Sequence, residues 1–159
     1  MTKQEERRRA KYPNTDTFLW WNENPKGKIT CDCVVRAIAT ATGKPWVVVL
    51  QDLTNLSIKT GYEQTDKKNT GKYLTSLGWI KQKQPRKADN TKYTGSEFCR
   101  HLTNMKRYGL IRSESIVANI GGHHMVCIKY FEGEDAYFVL DHWNSTGGCI
   151  GNYWTNGGA

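Results

Sequence analysis

Three residues far apart in the chain form a nucleophilic set: Cys33, His124 and Asp141. Cys33 stands at the head of CVVRAIATATG, where Val34, Ala37, Ile38 and Ala41 recur at the spacing of one helix face. Asp32 is the expected N-cap of that helix and Gly43 its stop. A thiol in the first turn faces unpaired N–H groups and the positive end of the helix dipole, which favour its anion. Taken alone, Cys33 reads equally as a buried small hydrophobe. A thiolate nucleophile needs an imidazole, and the imidazole needs a third group to fix its tautomer. His124 lies in GGHHMV at the start of one expected strand, and Asp141 in LDHWN at the end of the next. Singly, these are a half-buried strand histidine and a strand-ending cap. In the order Cys, His, Asp, with a helix bearing the first and a hairpin the others, they describe a hydrolytic triad.

Register separates His124 from its neighbour His123. If residues 123–131 and 136–143 pair around the turn 132–135, Phe131 faces Ala136 and Val126 faces Asp141. Facing residues share one side of a sheet and side chains alternate along a strand. His124 then shares a side with Asp141, on the diagonal, while His123 points away with Met125 and His142.

The elements around these residues follow from pattern and punctuation. Residues 13–31, rich in Pro, Asn, Gly and Lys, read as loop anchored by Trp20 and Trp21. Pro45 opens a second helix, with Trp46, Val49, Leu50 and Leu53 on one face. Residues 57–71 read as polar loop, Lys72–Leu77 as a short helix closed by Gly78, and Trp79-Ile80 as the start of a strand. Thr94 and Glu97 form a capping-box signature ahead of the stripe Phe98, Leu102, Met105. Strands are expected over 115–120, 123–131, 136–140 and 149–154. Helices first and then an antiparallel sheet argue an α+β fold. The domain reading is a basic N-terminal arm, 1–12, and a single domain, 13–159.

Composition bounds the class. The 159 residues are 38% apolar with six Trp, eight Tyr and four Phe, too apolar for a disordered chain. No stretch approaches the apolar length of a spanning helix, and the N-terminus lacks a secretory h-region, so no membrane contact is expected. Five cysteines without framework spacing read as free thiols in a reducing compartment, the cytoplasm. The net charge is +8, concentrated in 1–12 (net +3) and 81–92 (net +4), while Lys129 onward carries −3. Such patches are solvated faces or contacts for phosphate backbones, and a non-specific nucleic-acid partner is the expectation if they bind one. No motif that reads base edges is present.

The segments DCVVRAIATATG (32–43), GHHMVCIKY (122–130) and FVLDHWNS (138–145) resemble papain-like cysteine peptidases in the broad sense. The resemblance is closer to small phage and bacterial members and to the leader-peptide peptidases of bacteriocin exporters. It implies a papain-like α+β fold, with a central helix opened by the Cys and packed on an antiparallel sheet. It also implies hydrolysis of a peptide or isopeptide bond in a peptide or protein substrate, with Cys33 as nucleophile, His124 as general base and acid, and Asp141 as orienting group. A phage-type protein would act in the host cytoplasm or be packaged in the virion. The Gln that such enzymes usually place some six residues before the Cys is missing, since position 27 is Gly27. Asn22, Asn24 or the backbone N–H of Cys33 are the candidate oxyanion donors in its stead. Without that Gln, an idle papain-like fold with a structural or host-interaction role is the non-enzymatic alternative. No cofactor is expected. Cys31-x-Cys33 lacks zinc-ligand spacing and no second pair completes it, so no metal is expected.

Overall fold

The computed structural model describes residues 1–156. Helix α1 (Lys3–Lys11) is followed by strand β1 (Phe18–Trp20) and then by α2 (Cys33–Thr42), α3 (Trp46–Thr60) and α4 (Lys67–Ser76). Strand β2 (Ile80–Gln82) and helix α5 (Gly95–Arg107) precede a run of four strands, β3 (Ser115–Ile120), β4 (His124–Phe131), β5 (Ala136–Asp141) and β6 (Ile150–Thr155). Six strands form one sheet in the order β1-β5-β4-β3-β6-β2. The fold is α+β, and the sheet is mixed rather than antiparallel, because β1 runs parallel to β5 through Phe18↔Val139 and Trp20↔Asp141.

β1 lies inside the stretch expected to be loop. Three residues carry no periodicity, and the partner strand lies over a hundred residues away, so nothing local marks the pairing. α4 begins five residues earlier than expected, capped by Asp66, whose side chain accepts from the Lys68 N–H. Its buried face includes Asn69 and Thr70 as well as Tyr73 and Leu74, so half of it is invisible to a hydrophobicity count. α3 accepts the Val47-Val48-Val49 run because only Val49 is buried.

Strands β3, β4 and β5 are covered on both faces. Val117 and Met125 join α2, α3 and α4 in one core, while Ile116, Ala118, Val126, Ile128, Tyr137 and Val139 join Phe98 and Leu102 of α5 in another. Each large side chain so buried contributes about 1.5–3 kcal/mol. Burial on both faces is why these strands read as nearly continuous apolar runs. The expected turn forms, a short 3-10 segment at Glu132–Glu134 with Asp135 left-handed, and it sets the expected register: Phe131↔Ala136 through Cys127↔Leu140. No helix among the described residues is long and apolar enough to cross a membrane.

Helix α1 is docked to the rest of the chain. Thr2 and Glu5 form a reciprocal capping box, Thr2 Oγ1 donates to the Gly27 carbonyl at 2.9 Å, and Glu5 Oε1 accepts from Asn22 Nδ2 at 3.0 Å. Gly27 sits at φ 63°, and a Cβ there would fall 2.6 Å from Thr2 Cγ2. In the second basic stretch, Lys87 pairs with Glu97, so that patch is partly neutralised.

Candidate active site

Cys33 is the first residue of α2, and His124 is the first residue of β4. The two side chains hydrogen-bond each other. On its other side His124 donates Nε2–H to Asp141 Oδ2 at 2.5 Å, which leaves Nδ1 for the sulfur. The three residues expected to act together are thus brought together, in the order sulfur, imidazole, carboxylate. His123 is exposed in the turn before β4.

Electrostatics bias this chain toward an ion pair. Burial alone would push the Cys33 thiol up, but the hydrogen bonds from His124 and the Met125 backbone, with the charges of His124 and Arg36, bring it below the ordinary thiol value. Burial likewise works against a charged His124, yet its bonds to Asp141 and Cys33 and their charges raise it to about 9. Burial also opposes the Asp141 charge, and His124 and Arg36 outweigh it, so that carboxyl is held below the usual range. Both shifts favour the thiolate–imidazolium form of the pair over the neutral one.

Asp141 is 1% exposed, and its two oxygens accept four hydrogen bonds. Oδ1 takes Arg36 Nη1 at 3.0 Å and the His142 backbone N–H at 2.8 Å. Oδ2 takes His124 and, at 2.9 Å, Ser145 Oγ. A buried carboxylate with every lone pair engaged is a rigid anchor rather than a proton acceptor. Trp143 covers the imidazole from outside, ring centroids 5.0 Å apart.

Arg36, Ser145 and Trp143 are the members that sequence reasoning missed. Arg36 is 5% exposed and also donates Nε–H to Asp32 Oδ1 at 2.7 Å. It therefore ties the start of α2 to the end of β5. A lone arginine among the apolar residues of α2 was the available signal, since a buried guanidinium needs carboxylate partners. Asp32 occupies the N-cap position, but its side chain makes no capping bond. It is spent on Arg36, on Asn24 Nδ2 at 3.1 Å and on Trp46 Nε1 at 3.0 Å.

The two asparagines considered as oxyanion donors are engaged elsewhere. Asn24 donates to Asp32, and Asn22 donates to Glu5 and to the Lys28 carbonyl. The remaining candidate is the backbone N–H of Cys33 itself, at a helix position with no intrahelical acceptor.

Two clefts meet at His124 and Trp143. One, of about 440 Å³, is lined by Cys33, His123 and His142 together with Arg8 of α1. The other, of about 400 Å³, runs between Gly121 and the Gly147-Gly148 turn. Gly148 is held close there, since a Cβ on it would lie 3.1 Å from the Gly121 nitrogen. The arrangement has a nucleophile, a proton carrier, an orienting anchor and an open approach on either side. Among known proteins, no family model, no curated protein and no solved structure matches the chain.

Proposed function

We propose that the protein is a papain-like cysteine hydrolase that cleaves a peptide or isopeptide bond. The observation that carries this reading is the His124–Asp141 bond of 2.5 Å on one side of an imidazole whose other side meets the Cys33 sulfur. The Cys33 thiolate adds to the carbonyl carbon, and the backbone N–H of Cys33 meets the developing oxyanion. As the C–N bond breaks, imidazolium His124 gives its proton to the leaving nitrogen, and a thioester remains on Cys33. Neutral His124 then takes a proton from water, whose oxygen attacks the thioester. The acid leaves, and the thiolate–imidazolium pair is restored. Asp141, held by Arg36 and Ser145, keeps the ring oriented throughout.

The test is a mixed-sequence peptide library incubated with the protein, with cleavage read by mass spectrometry. Cleavage is expected from the wild type and from His123→Ala, and not from Cys33→Ala or His124→Ala. In parallel, iodoacetamide at pH 6 is expected to label Cys33 before the exposed Cys149. Labelling of Cys33 no faster than Cys149, with no cleavage, overturns the reading.

A further inference from the structure

His142 is 4% exposed, and neither of its ring nitrogens has a protein hydrogen-bond partner. A buried imidazole left so costs free energy, commonly about 1–3 kcal/mol for each unsatisfied polar group. Both nitrogens lie just beneath the surface, but the ring lines the 440 Å³ cleft that Cys33 also lines. Arg8 lines the same cleft from α1, and no carboxylate among the described residues forms an ion pair with it. No acidic residue lines this cleft at all, because Asp32 and Asp141 are buried behind it against Arg36. Burial first, then the charges of Arg36 and Arg8, hold His142 below the ordinary histidine value, so the ring is neutral and offers one N–H to an acceptor.

We propose that this cleft is a carboxylate subsite, in which an acidic group of the substrate is held between the Arg8 guanidinium and the N–H of His142. The proposal rests on the cysteine-hydrolase reading and gives it a substrate class: peptides that carry a carboxylate beside the scissile bond. Arg8 supplies the charge and His142 the directed donor. The docking of α1 through Glu5 and Gly27 is what keeps Arg8 at the cleft. The rest of the α1 face, with Lys3, Arg7 and Lys11, extends the same sign of potential outward and would draw an acidic chain toward the thiolate.

The experiment compares alkylation of Cys33 by iodoacetate, an anion, with alkylation by iodoacetamide, its neutral counterpart. Cys149 serves as internal reference. In Arg8→Gln the iodoacetate-to-iodoacetamide rate ratio at Cys33 is expected to fall by about 3- to 10-fold, the Coulombic effect of one charge at a few ångströms in the water-like dielectric of an open cleft. At Cys149 it should stay unchanged. Glu5→Ala, which undocks α1, should give the same fall, as should His142→Phe if it folds. Protection of Cys33 against iodoacetamide then names the source of the carboxylate. N-acetylglutamic acid α-amide carries only the side-chain group and N-acetylglycine only the terminal one. Protection by either beyond that of neutral N-acetylglutamine amide supports the subsite. An unchanged ratio in Arg8→Gln, or protection equal to the neutral amide for both acids, overturns it. Either result with Cys33 still the fastest thiol leaves the hydrolase reading standing, whereas loss of that fast labelling strikes the hydrolase reading itself.

Discussion

Asp141→Asn removes one charge and changes almost no volume, and the hydrogen-bond inventory predicts that the protein tolerates it badly. All four groups around the carboxylate donate to it. An amide has one accepting atom and one donating atom, so two of the four donors must face an NH₂ whichever way it turns. If the carbonyl oxygen keeps Arg36 and the His142 N–H, the NH₂ meets Ser145, whose hydroxyl can rotate, and His124, which must give up its Nε2 proton. The imidazolium is then lost, and with it the stabilisation of the Cys33 thiolate. If the amide turns the other way, the ring keeps its acceptor but the guanidinium and a backbone N–H face a donor in a buried site. Breaking one side of a buried charge pair costs about 3–5 kcal/mol. For a domain of this size, that is a fall of about 6–20 °C in Tm. Loss of the correctly oriented acid removes about 10²- to 10⁴-fold in turnover. The assays are a thermal melt and the pH profile of Cys33 alkylation, which should move up toward the ordinary thiol range. Ser145→Ala, which deletes one of the four bonds, should cost only about 1 kcal/mol. An Asn variant that melts within about 3 °C of wild type, with its alkylation profile in place, would refute the claim that four donors demand a carboxylate.

Hydrolysis should fall as pH rises through about 9, where His124 loses the proton that the leaving nitrogen needs, and an alkaline limb near 6.5 would contradict the raised value. Stability follows the same group. A raised folded-state pKa gives a contribution fully present below pH 6.5 that is lost as pH climbs to about 9, while the depressed Cys33 runs the opposite way; denaturant titrations of Cys33→Ala should leave only the His124 slope, ending below pH 9 because the bond and charge of Cys33 no longer raise that histidine. Among the five thiols, Cys99 and Cys127, each pushed up to about 12 by burial, should resist alkylation until the protein unfolds, and early labelling of either would count against the two-faced core. Gly95→Ala should destabilise by about 1–3 kcal/mol, because the added Cβ would stand 2.8 Å from Ile120 Cδ1 and 3.0 Å from Thr146 Cα, and a neutral melt would show that the loop carrying Ser145 can yield.

Chemistry-bearing residues were readable from the sequence to the extent that local rules governed them. The four-residue turn after Phe131 sets the β4–β5 register that leads His124 to Asp141, whereas His123, expected within the strand and pointing away, stays in the turn before β4 and lines the same cleft as Cys33. Thr94 and Glu97 cap α5 as their spacing requires. What escaped was determined by side-chain partners that neither periodicity nor capping rules announce. Asp32 has the position of a cap but answers to Arg36, Asn24 and Trp46. Arg36 has a local carboxylate in Asp32, but its second carboxylate lies 105 residues away. His142 falls just past the end of β5, where strand alternation no longer says which way a side chain points, and it lines the cleft of Cys33.

The bond between Arg36 and Asp141 also sets a timetable. Cys33 and Arg36 are synthesised some hundred residues ahead of His124, Asp141 and Ser145. At about 5–20 residues per second, the thiol spends roughly 5–20 s without imidazole or anchor. During that interval the thiol lacks the groups that lower its pKa, and the proposed triad is incomplete on the growing chain. On the proposed reading, it is the pairing of β5 with β4, and of Asp141 with Arg36 across to α2, that assembles the site, so the closing of the sheet and the gain of reactivity are one event.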